Sequence, residues 1–221
     1  MKQIILSTVS LAQSWLVEDL LDVLNQEKRV FVLTCIREEF QMIGESVEVL
    51  SQKEIARSLL RYGVLKTQIT FCRLVEHNVS KIKRALENCD VFIFVGNDAH
   101  LAHHRLVDFH LISAVKHYEK TKILIGSMIY LFLEDSQLCP IESDLKSLTN
   151  FDVFLHYIES LESLRSILNV LEDKDRLVIA LGENAGFIDE EGELFPLGDA
   201  YLFQPTQIDE LYEAYHTYQE S

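Results

Sequence analysis

Proline is scarce in this 221-residue chain, with three residues, and glycine hardly commoner, with eight. That excludes a collagen-like, linker-rich or low-complexity chain. Positive charge is also in short supply. Lys and Arg number 20 against 35 Asp and Glu, a formal net charge of −15. Such a surface repels phosphate backbones and anionic lipid headgroups, so neither nucleic acid nor membrane is expected as a partner. No uninterrupted apolar run reaches the ~18 residues that would span a bilayer. The opening Ile4-Ile5-Leu6 is broken off by Ser7, Thr8 and Ser10. It is too short for a secretory signal core and reads as a first strand. The four cysteines, Cys35, Cys72, Cys89 and Cys139, lie far apart with no Cys-x-x-Cys pair. The expectation is four free thiols and a cytoplasmic setting.

What the chain does have is apolar residues, 48% of it, enough for a large core. Short apolar runs at Ile4–Leu6, Val30–Leu33, Ile69–Cys72, Val91–Val95 and Ile123–Ile125 read as buried strands. Helical spacing fills the gaps at Leu11–Leu24, Gln52–Tyr62, Val79–Glu87 and Leu101–Tyr118. Leu16, Leu20, Val23 and Leu24, for example, share one helix face. Alternating strands and helices predict βαβ units: a three-layer α/β fold around a mostly parallel sheet, flavodoxin-like in outline. Further strands are expected at Val153–Leu155 and Leu177–Leu181, around a helix near Leu161–Leu171. A hairpin follows, from Ala185–Ile188 through Asp189-Glu190-Glu191-Gly192 to Leu194–Leu197, then a short strand Tyr201–Phe203. Residues 1–205 are read as one α/β domain and 206–221 as a helical tail. In that tail Leu211, Tyr212 and Tyr215 dock on the same domain or on a second subunit, which would make a homodimer.

In such a sheet, ligands bind beyond the carboxyl ends of the strands. Gly96-Asn97-Asp98 follows one strand and Gly126-Ser127 another; His156-Tyr157 follows a third. A serine on a sharp strand-to-helix turn, an imidazole to act as base and a free glycine N–H outline acyl-transfer chemistry. Each piece also has a plainer structural reading, as a turn or a packed histidine. His100 and His104 stand four apart and invite a zinc reading, but no glutamate lies between them as a metalloprotease needs. With His103 they are expected to be a solvated helix face, and no metal or other cofactor is predicted.

The order of these segments resembles the peptidase E (α-aspartyl dipeptidase) and cyanophycinase family of serine peptidases, whose fold is similar to class I glutamine amidotransferases. The resemblance spans about residues 1–203. It rests on Lys2–Ser7, Arg29–Thr34, Ala85–Asn97 (ALENCDVFIFVGN), Lys122–Ile129 (KILIGSMI), Leu155-His156-Tyr157 and Leu177–Gly192. It implies a histidine base at His156 and oxyanion or binding groups at Gly96, Asn97 and Gly126. The family's Gly-Gly-Asn turn is Val95-Gly96-Asn97 here, one glycine short. Its Gly-x-Ser-Ala-Gly elbow can be placed in two ways. Matching Gly126-Ser127-Met128-Ile129 to the residues after the elbow puts Leu124 at the nucleophile, which is then lost. The alternative makes Ser127 the nucleophile, beside bulky Met128 and Ile129 where the family has small residues. The first placement is preferred. The acidic triad member has no counterpart near Leu138-Cys139-Pro140-Ile141 unless Glu134 or Asp135 stands in. Two functions follow from the resemblance. One is an impaired or inactive homologue that binds a small peptide or small molecule. The other is an active cytoplasmic dipeptidase for small acidic Asp-X peptides using Ser127 and His156.

Overall fold

The computed structural model describes residues 2–37 and 47–220. Eight strands form one sheet: β1 (Lys2–Leu6), β2 (Val30–Cys35), β3 (Ile69–Arg73), β4 (Val91–Gly96), β5 (Thr121–Gly126), β6 (Phe151–Leu155), β7 (Leu177–Glu190) and β8 (Glu193–Phe203). Their order is β3-β2-β4-β5-β1-β7-β6, with β8 along β7. From β3 to β1 every pairing is parallel; β7 runs antiparallel to β1 and parallel to β6. The expected three-layer, mostly parallel architecture is what the chain adopts.

The central strands are apolar without interruption because both their faces are covered. β2 and β4 are buried at every residue. The pleat sends alternate side chains to opposite layers. On β4, Phe92 and Phe94 enter one core and Val91, Ile93 and Val95 the other. The first core is roofed by α3 (Val79–Asn88), α4 (Ala99–Asp108), α5 (Ile112–Lys116) and the short 3-10 turn Ser127–Leu131. Phe31, Phe92 and Phe94 stack there with ring centroids 5.6 and 5.7 Å apart. The second core is closed by α1 (Val17–Leu21) and α2 (Val47–Arg61), through Leu20, Ile55 and Leu59 among others. A third cluster packs α6 (Leu161–Lys174) and α7 (Ile208–Glu220) against β7. Ser160 caps α6 by accepting from Ser163 N–H. α7 docks on α6 through Leu211, with Tyr212 and Tyr215 beside it, and the Tyr212 hydroxyl donates to Glu172.

Three segments differ from their sequence patterns. Only Val17–Leu21 of the expected Leu11–Leu24 helix is α-helical. The segment before it is held in turns, where the Leu11 carbonyl accepts from the Tyr62 hydroxyl at 2.7 Å. The Leu101–Tyr118 helix is two helices, α4 and α5, because His110 takes a φ of 53° and ends the first. The separate late strands are one long hairpin. β7 runs 14 residues and β8 11, joined by the two-residue turn Glu191-Gly192, with a register shift between Leu181 and Ala185. β8 is the outer strand of the hairpin, and Pro196 within it stands opposite Phe187.

Four polar side chains on the sheet are at most 2% exposed: Gln3 and Lys122, neighbours in register on β1 and β5, Thr34 on β2 and Asp152 on β6. The Lys122 ammonium lies 5.5 Å over the Phe132 ring. Burial pushes its pKa down to about 8, against a weaker opposing effect of Glu119. The folded state therefore binds fewer protons than the unfolded chain between about pH 8 and 10.5, so this group makes folding more favourable as pH rises through that window. Replacing Lys122 by Met should remove this slope. From pH 7.5 to 9.5 wild type should gain about 2 kcal/mol of stability relative to Lys122→Met in urea titrations. A difference that stays constant would mean that Lys122 titrates as it does in the unfolded chain.

Candidate functional site

The carboxyl ends of β4 and β5 meet as glycines, since Gly96 and Gly126 are partners in register. Their backbones approach closely. A Cβ on Gly96 would lie 2.5 Å from the Cys35 carbonyl oxygen and 2.6 Å from Met128 Cε. One on Gly126 would lie 2.6 Å from the Gly96 carbonyl oxygen. At Gly126 the chain leaves the sheet with φ 66° and ψ −142°, close to a region open essentially to glycine, and enters the Ser127–Leu131 turn. This is the sharp strand-to-helix turn on which a nucleophile would be strained into exposure. Its strained residue is Gly126, which has no side chain.

The resemblance places the lost nucleophile at Leu124. Leu124 lies two residues earlier, in mid-strand between Ile5 and Phe94, with no exposed surface. A residue there points into the core and cannot stand at a turn. Ser127 is one residue past the strained position, half-buried at the start of the 3-10 turn. Met128 and Ile129 follow it, both fully buried. The Met128 side chain lies over Gly96, its Cε 2.6 Å and its Sδ 2.8 Å from where a Cβ on the glycine would sit.

Asn97 is committed elsewhere. Its Oδ1 accepts from the Arg37 N–H at 2.8 Å and its Nδ2 donates to the Arg37 carbonyl at 3.3 Å. Asp98 accepts from Leu101 N–H as the cap of α4 and faces the Arg37 guanidinium at 3.1 Å. These contacts fasten the end of β2 to the end of β4.

His156 arrives at the same end of the sheet by an indirect route. β6 and β1 lie one after the other along β7, with Leu155 opposite Leu181 and Leu6 opposite Gly186. Their carboxyl ends point toward each other across residues 182–184. From β1, Ser7 Oγ donates within 2.9 Å of the Glu183 and Ala185 carbonyls. From β6, the chain turns at His156, whose φ is 56°, and Tyr157 N–H bonds back to the Leu181 carbonyl. The imidazole is exposed. Among the described residues no hydrogen bond joins Ser127 to His156, and no carboxylate pairs with His156. Asp135, one of the two stand-ins for the missing acid, instead pairs with Lys146 at 2.8 Å, which holds its carboxyl below the usual range.

Sequence patterns gave no sign of a carboxylate network in the loop after the turn. Asp152 is 2% exposed and its two oxygens are fully engaged. It accepts from Ser136 Oγ at 2.6 Å, from Gln137 N–H and from its neighbour Val153 N–H, both at 2.8 Å. Ser136 Oγ in turn accepts from Cys139 N–H at 3.2 Å. A cleft of about 950 Å³ opens between this loop and α6, away from the Gly126 turn. His100, His103 and His104 all lie on α4. Burial and the other two imidazoles push His103 down, with Asp144 opposing. Among the described residues no group of three metal-ligating side chains could hold an ion.

No protein-family model matches this chain, and no curated protein does. Solved structures do. A peptidase from an acI-B1 Actinobacterium aligns with a TM-score of 0.64 at 13% identity, over 92% of this chain and 91% of its own. A candidate peptidase E protein from Listeria monocytogenes EGD-e aligns with a TM-score of 0.60 at 11% identity, over 88% of this chain and 96% of its own. At these identities the likeness establishes a shared peptidase E-like fold.

The Gly126 turn makes a stability prediction. Gly126→Ala should cost roughly 3 kcal/mol or more, because it adds a clash with the Gly96 carbonyl to the positive-φ penalty. Gly192 also has positive φ but open space around its Cβ position, so Gly192→Ala should cost about 1 kcal/mol. Equal losses in denaturant titrations would show that β4 yields to the added methyl.

Proposed function

We propose that this chain is a peptidase E-like protein that has given up catalysis and binds a small peptide or small molecule at the carboxyl ends of its parallel strands. The observation that carries this reading is the backbone at Gly126. The turn that would expose a nucleophile is kept, but its strained residue is glycine, packed so close to β4 that a side chain would collide with it. The neighbouring features agree. Met128 covers Gly96, Asn97 is spent on the Arg37 backbone, and no carboxylate orients His156 among the described residues. Loss of a nucleophile alone removes ~10⁶ of rate in a well-studied serine protease. The free thiols of Cys35, Cys72, Cys89 and Cys139 are in keeping with a reducing, cytoplasmic setting.

Ser127 is the rival. It is half-buried one residue beyond the turn, and a shift of the 3-10 turn would be needed to bring it to His156. Purified protein should hydrolyse Asp-X dipeptides no faster than Ser127→Ala and His156→Ala variants, all three at background. A wild-type kcat of about 1 s⁻¹ or more, abolished by Ser127→Ala, would establish the peptidase instead. Gly126→Ser should stay at background too, because the serine would have to displace the Gly96 carbonyl before it could attack.

A further inference from the structure

Three of the four cysteines are shut into the core: Cys35, Cys72 and Cys89 are 1%, 3% and 4% exposed. Cys139 is different. It lies half-buried in the loop after the Ser127–Leu131 turn, and its Sγ stands 3.9 Å from Nε2 of His100, in the first turn of α4. The two residues are 39 positions apart, so this pairing is made by the fold. The backbone behind the thiol is fixed: Cys139 N–H donates to Ser136 Oγ, which donates to the buried Asp152 carboxylate. Leu138 and Pro140, on either side, line the large cleft against α6, whereas the Cys139 thiol reaches His100 on α4.

We propose that Cys139 and His100 form a thiol–imidazole pair, a covalent modification site for neutral, soft electrophiles such as activated alkenes conjugated to a carbonyl. A thiol beside an imidazole is the arrangement of a nucleophile and its base, and 3.9 Å is within the longer reach of a sulfur hydrogen bond. The step balances within the pair and the electrophile. The Sγ proton passes to His100 Nε2, sulfur bonds to the alkene carbon distal to the carbonyl, and the imidazolium returns the proton to the proximal carbon.

The surroundings decide which electrophiles are accepted. Burial, Asp152 and Asp98 all push the Cys139 thiol up. Tyr130, a neighbour from the turn, has its own hydroxyl pushed up in part by the sulfur. Asp98 is shared with Arg37, and His103 shares the helix with His100. A preformed thiolate is therefore disfavoured, and reaction depends on the histidine taking the proton during attack. The same carboxylates repel an anionic reagent. This site is independent of the Gly126 turn and of the reading proposed for it.

Labelling of native protein by N-ethylmaleimide at pH 7, followed by peptide mass spectrometry, tests the pair. Each rate is divided by the rate of the same cysteine in urea, which corrects for any effect of a variant on folding. Cys139 should be modified first. His100→Gln should lower its normalised rate by about tenfold or more, the modest end of general-base assistance. It should also remove the part of the pH–rate profile that lies below the thiol's own rise, which a merely structural histidine would leave in place. Native protein should favour neutral iodoacetamide over anionic iodoacetate more than urea-unfolded protein does. A normalised rate unchanged in His100→Gln would reduce Cys139 to an exposed thiol. Equal selectivity in native and unfolded protein would remove the electrostatic argument. Either result overturns the proposal.

Discussion

Everything in this molecule hangs on five residues. β1 is hydrogen-bonded on one side to β5, the last strand of the parallel set, and on the other to β7, which carries β6 and β8. It is the one strand that belongs to both halves of the sheet. Ile4 and Leu6 complete one core and Ile5 the other, all fully buried. β1 also sets the direction of the site. Because it ends at the middle of β7, facing the end of β6, two strands that run in opposite directions deliver Ser7 and His156 to the same neighbourhood.

Beside that neighbourhood lies the end of β5, at Gly126. The chain turns sharply after β5, and the tension of the turn falls on Gly126, which has no side chain. The space saved by two facing glycines is taken up by Met128 and by β4 itself. A buried methionine, flexible and polarizable, fills an irregular gap well.

The frame was legible in the sequence because it depends on pattern. Val30–Leu33 and Val91–Val95 are apolar without interruption, and only a strand covered on both faces needs that. The hairpin showed through its turn residues. The continuity of β7 did not, because Gly182-Glu183-Asn184 reads as a loop, although the chain stays extended and merely shifts register there. The torsion at Gly126 was hidden for a related reason. Matching residue types put the elbow at Leu124, since Ser127-Met128-Ile129 looks like the stretch just after an elbow. Backbone torsion, which letters do not carry, puts the sharp turn after β5 two residues on, at Gly126. Asp152 was invisible as well: between Phe151 and Val153 a carboxylate looks solvent-facing, and only the loop that folds over it makes it internal. The Cys139–His100 contact joins segments no local pattern links.

The outer edge of the hairpin has a bearing on how the protein lives at high concentration. β8 leaves Phe195, Tyr201 and Leu202 exposed along a strand that, among the described residues, pairs with β7 alone, the kind of margin on which chains stack into fibrils. Pro196 interrupts it. Proline brings no N–H, and in a border strand its nitrogen faces outward. Two residues later Gly198 takes a positive φ, which bends the margin. A second molecule arriving edge-on meets a gap and a kink in place of a continuous row of donors, so the chain can carry a long, greasy border without becoming a seed for its own aggregation.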